Sequence, residues 1–282
     1  MRVSQLNFYP LKSGRGISLN EAEIAAEGIP GDRRMMVTDP SGHFITQREL
    51  QALAQLQVTP GDGGFRFAID GKGEIFAGQP PKDRRMDVAV WKSIVNAAVA
   101  DDAVNETLSG WLGRDVRLVF FDDQAKRTAS AEWAGPDTPV TFADGYQVLV
   151  TTTGSLAALN ADMQRNGEGS VGMERFRPNI VLDTDEVWAE DNWEGIEISG
   201  IRFDFVKPCA RCIMTTQDQT SGSREAPSPI PAMGRIRMSA DRRVPGPLFG
   251  WNAVPRDTGR IRIGDVATVT AGRDAWAIKR RA

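Results

Sequence analysis

Ile201-Arg-Phe-Asp-Phe-Val-Lys-Pro-Cys-Ala-Arg-Cys-Ile-Met-Thr-Thr216 contains a strand signal and both cysteines of the chain. Residues 201–206 alternate apolar and polar side chains, the period of a half-buried strand. Pro208 interrupts that run, and Ile213, Thr215 and Thr216 follow Cys212 where a redox-active C-x-x-C would open a helix. The segment reads as strand and turn, not as the βαβ setting of a thiol oxidoreductase. Two readings of the thiols stand side by side. Cys212 is a soft-metal ligand whose thiolate is favoured by Arg211 and Lys207, or Cys209 and Cys212 are both small buried apolar groups.

Outward from this stretch the same period recurs. Leu53, Leu56 and Val58 are spaced by Gln55 and Gln57, which predicts a strand, and Phe65, Phe67 and Ile69 follow a Gly-Asp-Gly-Gly turn at 61–64, which predicts a hairpin. Further strands are predicted at Val116–Phe121, Gln147–Thr152, Asn179–Leu182, Glu197–Ser199, Arg260–Ile263 and Val266–Thr270. Helical spacing links Val104, Leu108, Trp111 and Leu112, and also Leu156, Leu159 and Met163; Thr46-Gln-Arg-Glu49 has the form of a capping box. The expected class is mostly β with a few short helices (α+β). A composition shift at Asp122-Asp123-Gln124 divides the chain into interlocked units of residues 1–122 and 123–282. A second loop-like stretch, 217–247, has the length of a functional loop.

The 282 residues are 41% hydrophobic and 25% charged, the balance of a folded globular protein. Two cysteines and one histidine exclude a disulfide framework and cannot supply the four ligands of an all-protein zinc site or an iron–sulfur cluster without heavy use of carboxylates, so the chemistry is expected to borrow a cofactor. The net charge of −3 hides an asymmetry: residues 1–200 carry 19 basic and 30 acidic side chains, residues 201–282 carry 15 and 7. The excess of arginine is either a solvated surface or a face for a phosphorylated small molecule. The acidic balance, without an aromatic-interleaved basic stripe, argues against nucleic acid. With no apolar leader and no membrane span, a cytoplasmic location is expected.

Several shorter stretches place polar groups at turns. Lys12-Ser13 follows Tyr9-Pro10-Leu11, Asp32-Arg33-Arg34 follows a Gly-Ile-Pro-Gly turn, and Arg177-Pro178-Asn179 precedes an apolar strand. Thr151-Thr152-Thr153-Gly154-Ser155 opens a helical face, where hydroxyls either cap the helix or help to hold a phosphate. Alone, each is compatible with an ordinary turn or cap. In order, however, Tyr-Pro-Leu-Lys-Ser-Gly-Arg-Gly (9–16), Gly-Asp-Arg-Arg (31–34), Phe-Ile-Thr-Gln-Arg (44–48), Phe-Ala-Asp-Gly-Tyr (142–146), Gly-Ser-Leu-x-x-Leu-Asn (154–160), Phe-Arg-Pro-Asn-Ile-Val (176–181), Cys-Ala-Arg-Cys-Ile-Met-Thr-Thr (209–216), Leu-Phe-Gly-x-Asn (248–252) and Ile-Arg-Ile-Gly-Asp (261–265) form a specific set. The chain resembles the MOSC proteins, named for the molybdenum cofactor sulfurase C-terminal domain. The resemblance is to the branch with an N-terminal β-barrel domain that includes the mitochondrial amidoxime reducing component and its bacterial relatives, and it spans about residues 3 to 270.

That resemblance implies an N-terminal β-barrel-like domain interlocked with a C-terminal MOSC β-barrel domain, with a molybdenum cofactor (Mo-molybdopterin) between them. Cys212 would be the metal ligand and catalytic residue. Lys12, Ser13 and Arg33 would hold the cofactor's phosphate, and Arg177, Asn179 and Arg211, with Thr152, Ser155 and Asn252, would complete the pocket. Cys209 has no assigned role. The activity implied is removal of oxygen from N-hydroxylated compounds such as amidoximes, hydroxylamines or N-oxides, with Asp218 a guess at the proton donor. Bacterial relatives often carry a ferredoxin-like domain with four cysteines; the cysteine count excludes an iron–sulfur cluster in this chain, so a separate flavoprotein, ferredoxin or cytochrome b5-type protein is expected to supply electrons. The 217–247 stretch follows the family outline loosely, and substrate preference is expected there. A reading from another class makes the protein a carrier of the cofactor, or of a persulfide on Cys212, without turnover. A third, an interaction domain that has lost the cofactor, sits poorly with Lys12, Arg33, Arg177 and Cys212 occurring together.

Overall fold

A computed structural model describes residues 1–279. The largest sheet has eight strands in the order β17 (Ala267–Gly272), β13 (Trp193–Ile198), β14 (Ile201–Ala210), β15 (Leu248–Pro255), β11 (Val148–Thr152), β12 (Ile180–Asp183), β1 (Arg2–Phe8) and β2 (Ile17–Leu19). A four-stranded sheet runs β4 (Met35–Thr38), β10 (Arg117–Phe120), β9 (Ser93–Val99), β8 (Arg85–Val90), and β5 (Gln57–Gly61), β6 (Gly64–Ile69) and β7 (Gly73–Gly78) form a meander. Last, β16 (Gly259–Arg262) pairs with β3 (Glu21–Ile24). The α-helices are α1 (Asp102–Leu112), α2 (Ala131–Ala134), α3 (Thr153–Arg165) and α4 (Ile230–Ile236). The protein is thus mostly β with a few short helices, and no helix among the described residues is long and apolar enough to cross a membrane.

The two units interlock through the first 24 residues. β1 pairs antiparallel with β12, and β3 with β16, so a cut at residue 122 would sever β1–β3 from the sheets they complete. One core forms where Ile201, Phe203 and Phe205 of β14 meet Ile196, Ile198 and Trp251. A second packs Leu53, Leu56, Val58 and Phe67 against Val104, Leu108 and Leu112 of α1. Each core uses the face that the sequence period assigns to it.

Local departures from the sequence reading have physical causes. β14 does not end at Val206 but continues through Pro208 and Cys209, because its register against β15 shifts between Phe205 and Lys207 and again between Pro208 and Ala210. Such irregularities tolerate a proline, which has no N–H to give to the ladder. Leu53 lies in a 3-10 turn, Gln51–Gln55, and the strand begins only at Gln57. Thr46 caps no helix: its hydroxyl accepts from the Arg48 N–H at 3.3 Å within a turn. The missed strands include β4, buried at all four positions, and β15, buried at all but Asn252. Neither alternates, so neither carries a period-2 signal. The 217–247 stretch contains α4.

A buried polar node ties the units together. Two guanidinium groups pack over the Tyr9 ring, Arg33 at 4.2 Å and Arg177 at 4.4 Å from its centroid. The Tyr9 hydroxyl donates to the Pro178 carbonyl at 3.1 Å and its backbone N–H to Asp32 Oδ1 at 2.8 Å. Arg33 pairs with Asp32 and donates to Asn179 Oδ1 at 2.9 Å and to the Arg177 carbonyl at 3.2 Å. Elsewhere Arg237, just past α4, pairs at 2.8 Å with Asp191, which also accepts from Trp251 Nε1 at 2.9 Å.

Burial pushes the Tyr9 phenol up to about 12, against the opposing charges of Arg177 and Arg33. An unfolded tyrosine titrates near the ordinary 10.0 and so loses its proton first. The Tyr9 contribution is therefore complete below pH 10 and is lost as pH rises through about 12, amounting to about 3 kcal/mol. Urea unfolding of wild type and Tyr9→Phe across this range should show a flatter pH dependence in the variant, and equal slopes would place ionisation in the folded state. Asp191→Ala leaves a buried guanidinium unpaired and should cost about 3–5 kcal/mol in the same measurement.

Candidate functional site

The Tyr9 node forms the floor of a cleft between the units. The turn after β1, the turn before β4, the loop 143–146, the entrance to β12, the end of β14 and Asn252 of β15 all contribute to it. Among the predicted site residues, Lys12, Ser13, Arg33, Arg177, Asn179, Arg211, Cys212 and Asn252 all line it. The cleft holds about 130 Å³ and shares Asp144, Gly145 and Tyr146 with a wider, open surface cavity of about 800 Å³.

Three lining residues have left-handed backbone: Ser13 (φ 65), Arg33 (φ 47) and Arg177 (φ 55). Side chains other than glycine and asparagine rarely adopt it, and such strain persists where surrounding contacts enforce it. Here each strained residue is held by bonds across the node. The Ser13 carbonyl accepts from Gln47 Nε2 at 2.9 Å, and Arg177 Nη1 donates to the Gly14 carbonyl at 2.7 Å and to Gln219 Oε1 at 3.0 Å. The Arg33 N–H donates to the Tyr9 carbonyl at 2.7 Å.

The electrostatic balance is cationic. Lys12, Arg33, Arg175, Arg177 and Arg211 line the cleft against one carboxylate in the lining, Asp144, with Asp32 behind Arg33. Lys12 Nζ donates to the Phe142 carbonyl at 2.9 Å and pairs with Asp144; burial pushes its ammonium down, and Asp144 opposes that shift. Desolvation in the wall works against ionising Asp144, but Lys12, Arg48 and Arg33 outweigh it and hold its carboxyl below the ordinary range. Burial lowers Arg177 to about 10, so it stays charged at neutral pH. The Ser13 hydroxyl makes no hydrogen bond to protein among the described residues, and the buried Arg211 Nε has no partner.

Cys212 is exposed at the edge of the cleft, and its carbonyl caps the short 3-10 turn Ile213–Thr216 by accepting from Thr215 N at 3.2 Å and Oγ1 at 3.0 Å. The cations expected to favour its thiolate point elsewhere. Arg211 Nη1 donates to Cys209 Sγ at 2.9 Å and Nη2 to the Phe176 carbonyl at 2.7 Å, while Lys207 Nζ rests 5.0 Å from the Trp133 ring centroid. Neither cysteine is buried: Cys209, with no expected role, lines the cleft too.

Thr152 and Ser155 lie outside the cleft. β11 and β12 run parallel away from it, with Leu149 at the near end of β11, and three further residues of strand carry Thr152 about 10 Å on. Thr152 caps α3 by accepting from the Ser155 N–H at 3.2 Å, and both hydroxyls bond the buried Glu190 carboxyl, at 2.9 and 2.7 Å. Asp218, the guessed proton donor, closes a turn by accepting from Ser221 N at 2.7 Å and Thr220 N at 3.0 Å. Those bonds hold its carboxyl below the ordinary range, the wrong direction for an acid. No residue of 217–247 lines either cavity.

Arg175 was not singled out from the sequence. Its Nε donates to the Thr215 carbonyl at 3.0 Å and its Nη2 to the Pro227 carbonyl at 2.9 Å, which braces the segment after Cys212. Its position two residues before Arg177 was the available signal. The described residues contain no cluster of three or more histidine, cysteine or carboxylate groups able to hold a metal ion. The donor set is two thiols, Cys209 and Cys212, with several cations, amides and a free hydroxyl. It fits a ligand that brings both a phosphate and its own metal-binding sulfurs.

Comparison with known proteins agrees with this architecture. Residues 1–115 match the MOSC N-terminal beta barrel domain and residues 137–268 the MOSC domain. The chain is 28% identical to the mitochondrial amidoxime-reducing component 1 of Danio rerio, over 93% of this chain and 83% of that protein. It is also 28% identical to component 1 of Homo sapiens and to component 2 of Bos taurus, over 93% of this chain and 81% of each. A solution structure of a Bordetella bronchiseptica protein overlaps 37% of the chain at 17% identity and a TM-score of 0.30, too slight a likeness to bear on the fold. With both domain models matched in order, and the strands of the first interlocked with those of the second, the chain belongs to the MOSC-domain proteins that carry an N-terminal MOSC β-barrel domain.

Proposed function

We propose that the protein is a molybdenum-cofactor-dependent reductase of N-hydroxylated compounds. The observation that carries this reading is the meeting of an exposed thiol, Cys212, with buried cations from both units in one cleft. The relatives' names, amidoxime-reducing components, support the substrate class. When bound, the Mo-molybdopterin group would supply a metal centre able to take up oxygen from an N–O bond.

The residues of the chain divide the remaining work. Arg177 and Arg33, with Lys12 and the free Ser13 hydroxyl, would hold the phosphate through charge-assisted hydrogen bonds. Asn252 Nδ2 donates to the Lys207 carbonyl at 3.1 Å, so its side-chain oxygen, which has no hydrogen-bond partner among the described residues, would be free to accept from amino groups of a pterin edge. Asn179 acts differently: its amide bonds Arg33, the Leu149 N–H and the Asn7 carbonyl, so it positions Arg33 and braces the cleft floor. The Cys212 thiolate would be the single protein ligand to the metal. Reduction of N–OH to N–H consumes two electrons and two protons and releases water. Cys212 sits at a solvent-exposed edge where protons can arrive from water, and a separate electron-transfer protein of flavoprotein, ferredoxin or cytochrome b5 type would supply the electrons.

Protein made in a cofactor-competent host should contain molybdenum and pterin in a one-to-one ratio and reduce a panel of amidoximes, hydroxylamines and N-oxides with an artificial donor. Cys212→Ala should lose at least about 100-fold in that reduction. Wild type without molybdenum, or undiminished reduction by Cys212→Ala, would end the reading; bound cofactor without turnover under a strong reductant would favour a carrier. Arg177→Ala should weaken pterin retention by about 10- to 100-fold, the scale of a hydrogen bond to a charged group, read as pterin released on dialysis. Retention equal to wild type would remove Arg177 from the phosphate site.

A further inference from the structure

The wide cavity beside the cleft has a chemistry of its own. At about 800 Å³ it lies in the range of small-molecule sites, roughly 300–1,000 Å³. Phe44 and Trp91 line it with ring centroids 5.1 Å apart. Trp91 opens the two-residue turn between β8 and β9 with φ 57, a conformation that such turns ordinarily give to asparagine or glycine. It is also 46% exposed, so the strain secures no burial for the ring. What the turn achieves is placement: the indole is held against Phe44 and under the Arg48 guanidinium, 4.6 Å from its centroid.

Other lining residues are cationic. Arg127 is committed, donating to the carbonyls of Thr141 at 2.7 Å, Ala143 and Asp144. Lys92 and Lys207 make no hydrogen bond or ion pair through their ammonium groups among the described residues. The carboxylate in the lining, Asp144, is taken by Lys12. The pocket thus joins an aromatic stacking face to Lys92 and to Lys207, whose ammonium rests over the Trp133 ring without an ionic partner, and it shares Asp144, Gly145 and Tyr146 with the cleft that holds Cys212.

We propose that this cavity seats the body of the substrate, with Trp91 stacking on a planar aromatic ring and Lys92 and Lys207 binding an anionic substituent. The preferred substrates are then aromatic N-hydroxylated compounds that carry a carboxylate. This rests on the reductase reading for the reaction itself, but it moves substrate preference from the 217–247 stretch to the β8–β9 turn and β14. The segment after Cys212 has another task, since Gln217, Thr220 and Ser221 clamp it to Gln51, Arg15 and Gln55 of the N-terminal unit.

The test compares benzamidoxime with its para-carboxylate and with hydroxylamine as substrates of the holoenzyme, using an artificial electron donor. Wild type should show a KM for the carboxylated compound about tenfold below that for the neutral one. Lys92→Gln with Lys207→Gln should abolish that ratio, and Lys82→Gln, which lines neither cavity, should leave it intact. Trp91→Ala should raise KM for both aromatic compounds about fivefold relative to hydroxylamine. Equilibrium binding of terephthalic acid monoamide, followed by tryptophan fluorescence, should weaken in the same variants. If no N-hydroxylated compound is reduced, the reductase reading fails while this binding still reports on the cavity. If hydroxylamine is reduced but the carboxylate ratio is absent or unmoved by the lysine variants, the assignment is overturned and the reductase reading stands. A Trp91→Ala effect on donor saturation alone would also overturn it, giving the cavity to the electron-transfer partner.

Discussion

Two guanidinium groups packed over one buried phenol ring set the terms for the centre of this molecule. Arg33 comes from the turn before β4, Arg177 from the entrance to β12, and Tyr9 from the end of β1. Bringing two cations into a desolvated space is unfavourable unless something answers their charge. Asp32, itself buried, answers for Arg33. Arg177 receives only carbonyl and amide oxygens, from Gly14 and Gln219. The fold thus carries an excess of positive charge at its centre, and the left-handed backbone at Ser13, Arg33 and Arg177 is where the chain bends to present it.

This constraint reaches outward through the strand order. β1 must lie beside β12 to bring Tyr9 under Pro178, which draws the N-terminus into the sheet of the C-terminal unit and leaves β4–β10 to build their own sheets. Gln47 and Gln219, each donating to the other at 3.1–3.2 Å, tie the segment after Cys212 back across the cleft. The thiol therefore stands on a braced segment whose supports come from both units, and its position depends on their docking as much as on its own strand.

Much of the cleft was legible in the sequence because its residues sit at turns punctuated by glycine and proline, where a cation or amide is conspicuous: Lys12-Ser13, Asp32-Arg33 and Arg177-Pro178-Asn179. The β class was legible from period-2 stretches such as 201–206 and 65–69. Legibility ended where burial removed the period, as in β4 and β15, and where spacing mimicked another element, as Leu53 and Leu56 did. It also ended at side-chain direction. Thr152 and Ser155 look like cleft residues in sequence but lie where β11 ends and α3 begins, and Arg211 sits beside Cys212 while reaching for Cys209.

By itself the sequence determined the fold class, the ordered set of turn residues and the shortage of cysteine and histidine, because periodicity, backbone punctuation and ligand inventory are local or additive properties. Tertiary structure alone decided which of those residues share a cavity, which carboxylate neutralises which cation, and that a wide aromatic pocket with Lys92 and Lys207 in its lining borders the cleft at residues 144–146. Those are matters of distance between segments more than a hundred residues apart, such as Lys12 with Phe142 and Arg33 with Asn179. No local pattern records them, because strand order and register bring the segments together.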